Sequence, residues 1–472
     1  MLQLQTMQRR AFYVATLASI LSSLGCSGGP GSGSAGTASA GSGGQPLGGA
    51  AQGGTAGVLG VAGSSVGGQT QPTGGVSTGG VSNGGVSNGG TASSGAPSGG
   101  AASGAGGAGS GAGGNAGAAG GPSKSTGTPL VYVGGFGKFP LRAYELDKTT
   151  GALKQRGGDE DGGSSPSYLA LDPSGTHLYN ANEDDGATAG VTAHHIKADG
   201  TLEKLNHQQG TKKSCGGSCG FTYVTVDPSG KFLFGADYDG GSVSLFPINQ
   251  DGSLGAEKQM LDFGNDSEAH SVGFDPGGKF AFVPTLGLDQ VQQLKFGADG
   301  TWSANSPANV AAASNSGPRH IAMHPNGKLA IVINETASTL TPYTISADGK
   351  LTPGTSVSSM PQGVSGKVYG QHLKLSPDAH FLYCSNVGHD SLGVFSVDQS
   401  SGALTWLQDQ PSGGAWPRDF DVDPNGEFLV AANRDSNSLA VFKIGQDGKL
   451  TQLGQPTTVP DQPTTVVIRY QP

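Results

Sequence analysis

From about residue 129 onward, apolar positions fall in short runs separated by polar turns at a regular interval. Six turn motifs align: Asp172-Pro173-Ser174-Gly175, Asp227-Pro228-Ser229-Gly230, Asp275-Pro276-Gly277-Gly278, His324-Pro325-Asn326-Gly327, Ser376-Pro377-Asp378-Ala379 and Asp423-Pro424-Asn425-Gly426. Their spacings are 55, 48, 49, 52 and 47 residues. Proline at the second turn position presets φ, and glycine or asparagine later tolerates positive φ. Each turn lies between two short apolar runs, as in IAMHPNGKLAIVIN and FDVDPNGEFLVAAN. A third run follows, ending near an Asp-Gly turn, as in LTPYTISADGKLT and LAVFKIGQDGKLT. The unit therefore reads strand A, proline turn, strand B, loop, strand C, Asp-Gly hairpin, strand D. Four antiparallel strands in about fifty residues make a propeller blade.

The ends of this region complete the count. Residues 130–134 (LVYVG) and 141–146 (LRAYEL) match strands B and C with no strand A before them, and residues 464–470 (TTVVIRY) match a strand A with nothing after it. One split blade and six turn-bearing blades predict an all-β, seven-bladed β-propeller over residues 129–472. Joining both ends in one blade closes the ring and removes exposed sheet edges.

Composition changes the picture only before residue 129. Residues 27–128 contain no aromatic side chain, and the first charge there is Lys124. This glycine-, serine- and alanine-rich stretch cannot bury enough apolar surface to offset chain entropy, so it reads as a disordered linker. Residues 1–26 read as a signal peptide. Arg9 and Arg10 precede an uncharged stretch from Ala11 to Leu24, too short to span a bilayer. The Arg9-Arg10-Ala11-Phe12 run resembles a twin-arginine signal, and Leu24-Gly25-Cys26 resembles a lipobox with Cys26 as the lipidation site. The expectation is an exported domain, periplasmic or at the cell surface, touching membrane only through an N-terminal lipid anchor. The net charge is −9 with no basic stripe, which argues against a nucleic-acid partner. A monomer is expected.

Strand direction sorts the loops onto two faces. The proline and Asp-Gly turns share one face. The D–A connections and B–C loops share the other. There the D–A connections bring Glu268-Ala269-His270, Gly317-Pro318-Arg319-His320 and Trp416-Pro417-Arg418-Asp419. B–C loops bring Asn182-Glu183, Asp237-Tyr238, Asn334-Glu335, Asn386-Val387-Gly388-His389-Asp390 and Asn433-Arg434-Asp435. Strand A is innermost, so residues at its start should rim the central channel. Histidine, arginine and glutamate converging there suit a small anionic or ester substrate: a base, a water-orienting group and a cation for oxyanion charge. The candidates are His270, Arg319 and Glu335 as catalytic residues, and His320, Arg418 and His389 as substrate-binding ones. The recurring loop asparagines read as turn caps.

Four cysteines are too few for a disulfide-framed fold. Cys215 and Cys219 are a candidate small-loop disulfide outside the cytoplasm. Cys384 lies in a strand B and reads as a buried thiol. Neither a second cysteine pair nor a suitably spaced histidine pair points to zinc.

The blades resemble the bacterial propeller-type 6-phosphogluconolactonases, related to fungal carboxymuconate lactonising enzymes. The resemblance rests on YVGGFG near residue 132, PSYLALDPSGTHLYNANE at 166–183, GGSVSLF at 240–246, AHSVGFDPGGKFAFVPTLGLD at 269–289, PRHIAMHPNGKLAIVINE at 318–335, LKLSPDAHFLYCSNVGHDSLGVFSVD at 373–398 and PRDFDVDPNGEFLVAAN at 417–433. It implies a metal-independent, cofactor-free site using His270, Arg319 and Glu335, and a small lactone as substrate. Two positions depart from the family pattern: Val387 stands where arginine is frequent, and His372 where glutamate is frequent. Two other readings stay open from sequence, a non-enzymatic interaction propeller and a muconate-type cycloisomerase.

Overall fold

The computed structural model describes residues 124–184, 188–210, 220–297, 300–364 and 366–471. The signal peptide, Cys26, the linker before Lys124, and Cys215 with Cys219 lie outside the described residues.

Seven antiparallel sheets follow one another along the chain. We number them blades 1 to 7. Blade 1 is the split one: its inner strand, Pro463–Gln471, pairs with Thr128–Gly135 from the other end of the domain. The inner strands of blades 2 to 7 are Pro166–Leu171, Phe221–Val226, Gly273–Phe274, Pro318–Met323, Tyr369–Leu375 and Pro417–Val422. Six blades have four strands, as expected. Blade 5 differs because its outer strand is broken into Leu351–Pro353 and Val357–Ser358, both paired with Thr339–Ile345. The break falls at Pro353-Gly354, where the proline cannot continue the ladder as a donor.

The core is distributed around the ring. Among the described residues there are seven apolar clusters, and each joins two neighbouring blades. Both faces of every sheet are therefore covered. This explains why the second strands read as continuous apolar runs: Leu329–Asn334 and Phe428–Asn433 are buried at every position. Cys384 is such a position, a free buried thiol whose pKa is pushed up to about 12 by burial.

A repeated polar contact ties blade to blade. Buried tyrosine hydroxyls on second strands donate to the turn glycine of the next blade: Tyr132 to Gly200 O (2.9 Å), Tyr179 to Gly252 O (3.0 Å) and Tyr383 to Gly448 O (3.0 Å). These glycines have φ of 84°, 83° and 76°, which disfavours any side chain there. On the proline-turn face, Lys124 Nζ pairs with Glu427 at 2.9 Å, and Ser125 N donates to Asn425 at 2.8 Å.

Tyr179→Phe should lower the unfolding free energy by about 1 kcal/mol, the net worth of one buried hydrogen bond. Urea denaturation is the measurement, with an unchanged m-value expected; no change in the midpoint would show that the contact contributes nothing.

Candidate active site

The inner strands share one irregularity. Register slips by one residue just after the strand begins, between Pro166 and Tyr168, Phe221 and Tyr223, Pro318 and His320, Gly370 and Leu373, and Pro417 and Asp419. In blade 1 the same slip lies opposite Gly134 and Gly135, between Pro463 and Thr465. In blade 4, Ala269 faces Thr285 while Gly273 faces Phe282, four steps against three. A β-bulge of this kind re-aims one side chain. By position, the extra residues are Thr464, Ser167, Thr222, His270, Arg319, Gln371 and Arg418 for blades 1 to 7. All seven are buried. They form a ring at one mouth of the channel, on the face opposite the proline turns.

The next inward-facing residue of each strand lies one level deeper. Those residues are Thr465, Tyr168, Tyr223, Ser271, His320, His372 and Asp419. Four of them carry rings, which pack together beneath the mouth. Tyr168 and Tyr223 lie 4.3 Å apart between centroids, His320 packs 5.3 Å from Tyr223 and 5.1 Å from His372, and His372 stands edge-on to Phe420 at 5.0 Å. The mouth is thus a cup with an aromatic floor.

Five of the six expected residues meet in this cup. Arg319 Nε is 2.9 Å from Glu335 Oε2, and its Nη1 donates to the Gln371 carbonyl. Arg319 Nη1 is also 3.2 Å from His320 Nε2. His270 packs 5.2 Å from His320 and 5.4 Å from Tyr238, and its Nδ1 is buried without a hydrogen-bond partner. His320 belongs to the floor. Its Nδ1 lies 2.8 Å from His372 Nδ1, so one ring donates and the other accepts. Arginine can only donate, so His320 Nε2 accepts from Arg319 and its Nδ1 carries the proton.

Arg418 is in the same ring. Its Nη2 donates to Glu183 Oε2 at 3.1 Å and its guanidinium sits 4.3 Å over the Phe136 ring, while Nη1 is buried without a partner. His389 is not brought into the ring: its Nε2 is 2.9 Å from Asp409 Oδ2 on the outer strand Leu404–Pro411. Val387 is buried, so no cation reaches the cup from that position.

Sequence reading missed Gln371, the floor tyrosines and the partnership of Glu183 with Arg418. The bulge positions were findable, because each immediately precedes the first inward-facing residue of its repeat.

Burial is the main cause holding His270, His320 and His372 well below the ordinary imidazole value, so all three are neutral. The Arg319 charge adds to this at all three, and the Arg418 charge reaches His270 and His320. Burial raises Asp419 to about 7. Among the described residues, no group of three or more His, Cys, Asp or Glu is arranged to hold a metal ion. A shallow cleft of about 430 Å³ lined by Lys138, Glu160 and Asp161, among others, includes no ring residue.

This geometry defines a closed propeller with a floored, ionisable cup at one channel mouth. The chain belongs to the seven-bladed β-propeller lactonases: the family model described as Lactonase, 7-bladed beta-propeller matches residues 130–468. It is 33% identical over 303 residues to a 6-phosphogluconolactonase of Bacillus subtilis, covering 61% of this chain and 83% of that one. A 6-phosphogluconolactonase of Yersinia pestis is 31% identical over 277 residues, 58% of this chain and 78% of that one. The solved structure of the Pseudomonas aeruginosa periplasmic gluconolactonase matches with a TM-score of 0.66 at 28% identity, covering 73% of this chain and all of that chain.

The buried neutral histidines make stability fall with acid. Below about pH 6.5 the unfolded chain protonates them and the folded one does not, so the unfolded state binds more protons. His194, lowered to about 3 chiefly by burial, behaves likewise away from the ring. Asp419 has the opposite sign between 3.8 and about 7, where the folded state holds the extra proton, and it offsets about one histidine. Urea stability should therefore drop from pH 7.5 to 5.5. His194→Gln should remove about 1.4 kcal/mol of that drop; an unaltered pH dependence would mean that His194 is charged in the folded protein.

Proposed function

We propose that this protein hydrolyses a small, sugar-type lactone at the channel mouth, without a metal ion, using His270, Arg319 and Glu335. The observation that carries this reading is the cup itself: a neutral buried imidazole with a free nitrogen beside a guanidinium held on three sides. A neutral imidazole can take a proton from water as the water oxygen adds to the lactone carbonyl carbon. The tetrahedral oxyanion that forms is stabilised by the Arg319 guanidinium, already oriented by Glu335 and the Gln371 carbonyl. The ring C–O bond then breaks, and the leaving alkoxide takes the proton back from His270. The product is the open hydroxy acid, and the histidine returns to its neutral form. Glu335 keeps the guanidinium in place and balances its charge.

The family membership supports the reaction class. The sequence of residues 7–26 supports an exported protein, with Cys26 as lipid anchor, and mass spectrometry of the mature N-terminus tests it.

His270→Ala and Arg319→Ala should each lower kcat/KM for gluconolactone by about 100-fold to 1,000-fold, with circular dichroism confirming that each variant folds. EDTA should have no effect. Because the His270 pKa is lowered, the acid limb of kcat/KM should lie below pH 6.5. Rates no faster than spontaneous hydrolysis on any lactone would favour an interaction propeller instead. Ring closure of a muconate would favour a cycloisomerase.

A further inference from the structure

The lactonase reading leaves open which lactones the cup accepts, and the charges of the mouth bear on this. Two cations belong to the ring of bulge residues, and each already holds a carboxylate. Arg319 holds Glu335 at 2.9 Å and Arg418 holds Glu183 at 3.1 Å. Arg434, in a loop on the same face, repeats the pattern: it stacks 4.0 Å over Trp416 and holds Asp435 at 2.7 Å. The remaining ring residues are Thr464, Ser167, Thr222, His270 and Gln371, all of them hydroxyl, amide or neutral imidazole groups. Ser167 Oγ, His270 Nδ1 and Arg418 Nη1 are buried without partners.

We infer that this mouth selects an uncharged, hydroxyl-bearing lactone over its phosphorylated counterpart, and that the Arg418–Glu183 pair sets the preference. The inference rests on the lactonase reading above. A phosphate ester carries a charge of about −1.5 to −2. To be held by either guanidinium it must displace a carboxylate, which would be left half-buried without its cation, or lie against that carboxylate as a like charge. Both outcomes are unfavourable in a desolvated site. A sugar hydroxyl makes no such demand. It can accept from the Arg418 guanidinium while both ion pairs stay closed. Arg418 itself is fixed from two other blades, by Phe136 of blade 1 and Glu183 of blade 2, so it cannot swing out cheaply to meet a phosphate.

The test compares kcat/KM for gluconolactone and 6-phosphogluconolactone on the purified full-length protein at low ionic strength. The unphosphorylated lactone should be preferred by about tenfold or more. Glu183→Gln keeps the side chain's shape and removes its charge. It should move the ratio toward the phosphorylated lactone by about tenfold, with the unfolding midpoint confirming that the variant folds. A wild-type preference for the phosphorylated lactone would overturn the inference and leave the lactonase reading standing, as would a ratio that Glu183→Gln does not move. Hydrolysis of neither lactone would overturn both.

Discussion

Closure of the ring is the constraint on which everything else rests. The inner strand of blade 1 comes from the far end of the chain, and it pairs over its full length with Thr128–Gly135. Its other edge is held as well. Asp419 and Asp421 on the inner strand of blade 7 accept the backbone N–H groups of Val466 (3.1 Å) and Ile468 (2.7 Å), and Asp423 accepts the Tyr470 hydroxyl (2.7 Å). The carboxylates are spaced two residues apart, the side-chain period of a strand, and so are their partners. A slip of one residue would set these buried carboxylates against side chains rather than donors. Such groups are costly to leave unpaired. The clamp therefore fixes the register of the strand that turns seven separate sheets into a ring with no open interface.

The cup is a consequence of that ring. Each blade supplies the same backbone defect at the same depth, and seven small rotations place seven side chains around one axis. Blades 4, 5 and 7 use the position for His270, Arg319 and Arg418. Blades 1, 2 and 3 use it for threonine or serine, and blade 6 for Gln371. One level down, the same repetition produces the layer of tyrosine and histidine rings that floors the mouth. Chemistry is thus written on a scaffold whose geometry does not depend on which residue stands at each bulge.

Much of this was legible in the sequence. The six proline turns repeat because every blade reverses direction at the same place. The split blade could be read because residues 130–146 match the middle of a repeat, and residues 464–470 match its beginning. Placing His270, Arg319 and Glu335 on one face needed only the alternation of strand direction. What could not be read has identifiable causes. The broken outer strand of blade 5 lies on the rim, where little packing imposes a pattern. Glu183 and Arg418 are 235 residues apart and meet across the closing blade, so neither local spacing nor the repeat links them. His389 shares a loop class with Glu335, yet its imidazole is bonded to an outer-strand aspartate, because loop position fixes a face and not a direction. Cys215, Cys219 and Cys26 lie outside the described residues.

The contacts of Lys124 and Ser125 with Glu427 and Asn425 have a geometric consequence. Those partners lie at the far end of the blade 7 inner strand from Arg418, beside the turn that begins with Asp423. Lys124 and Ser125 thus lie on the back of the disc, on the side away from the cup. A substrate approaching the front meets the ring of side chains, with the backbone of residues 124 to 128 on the reverse side.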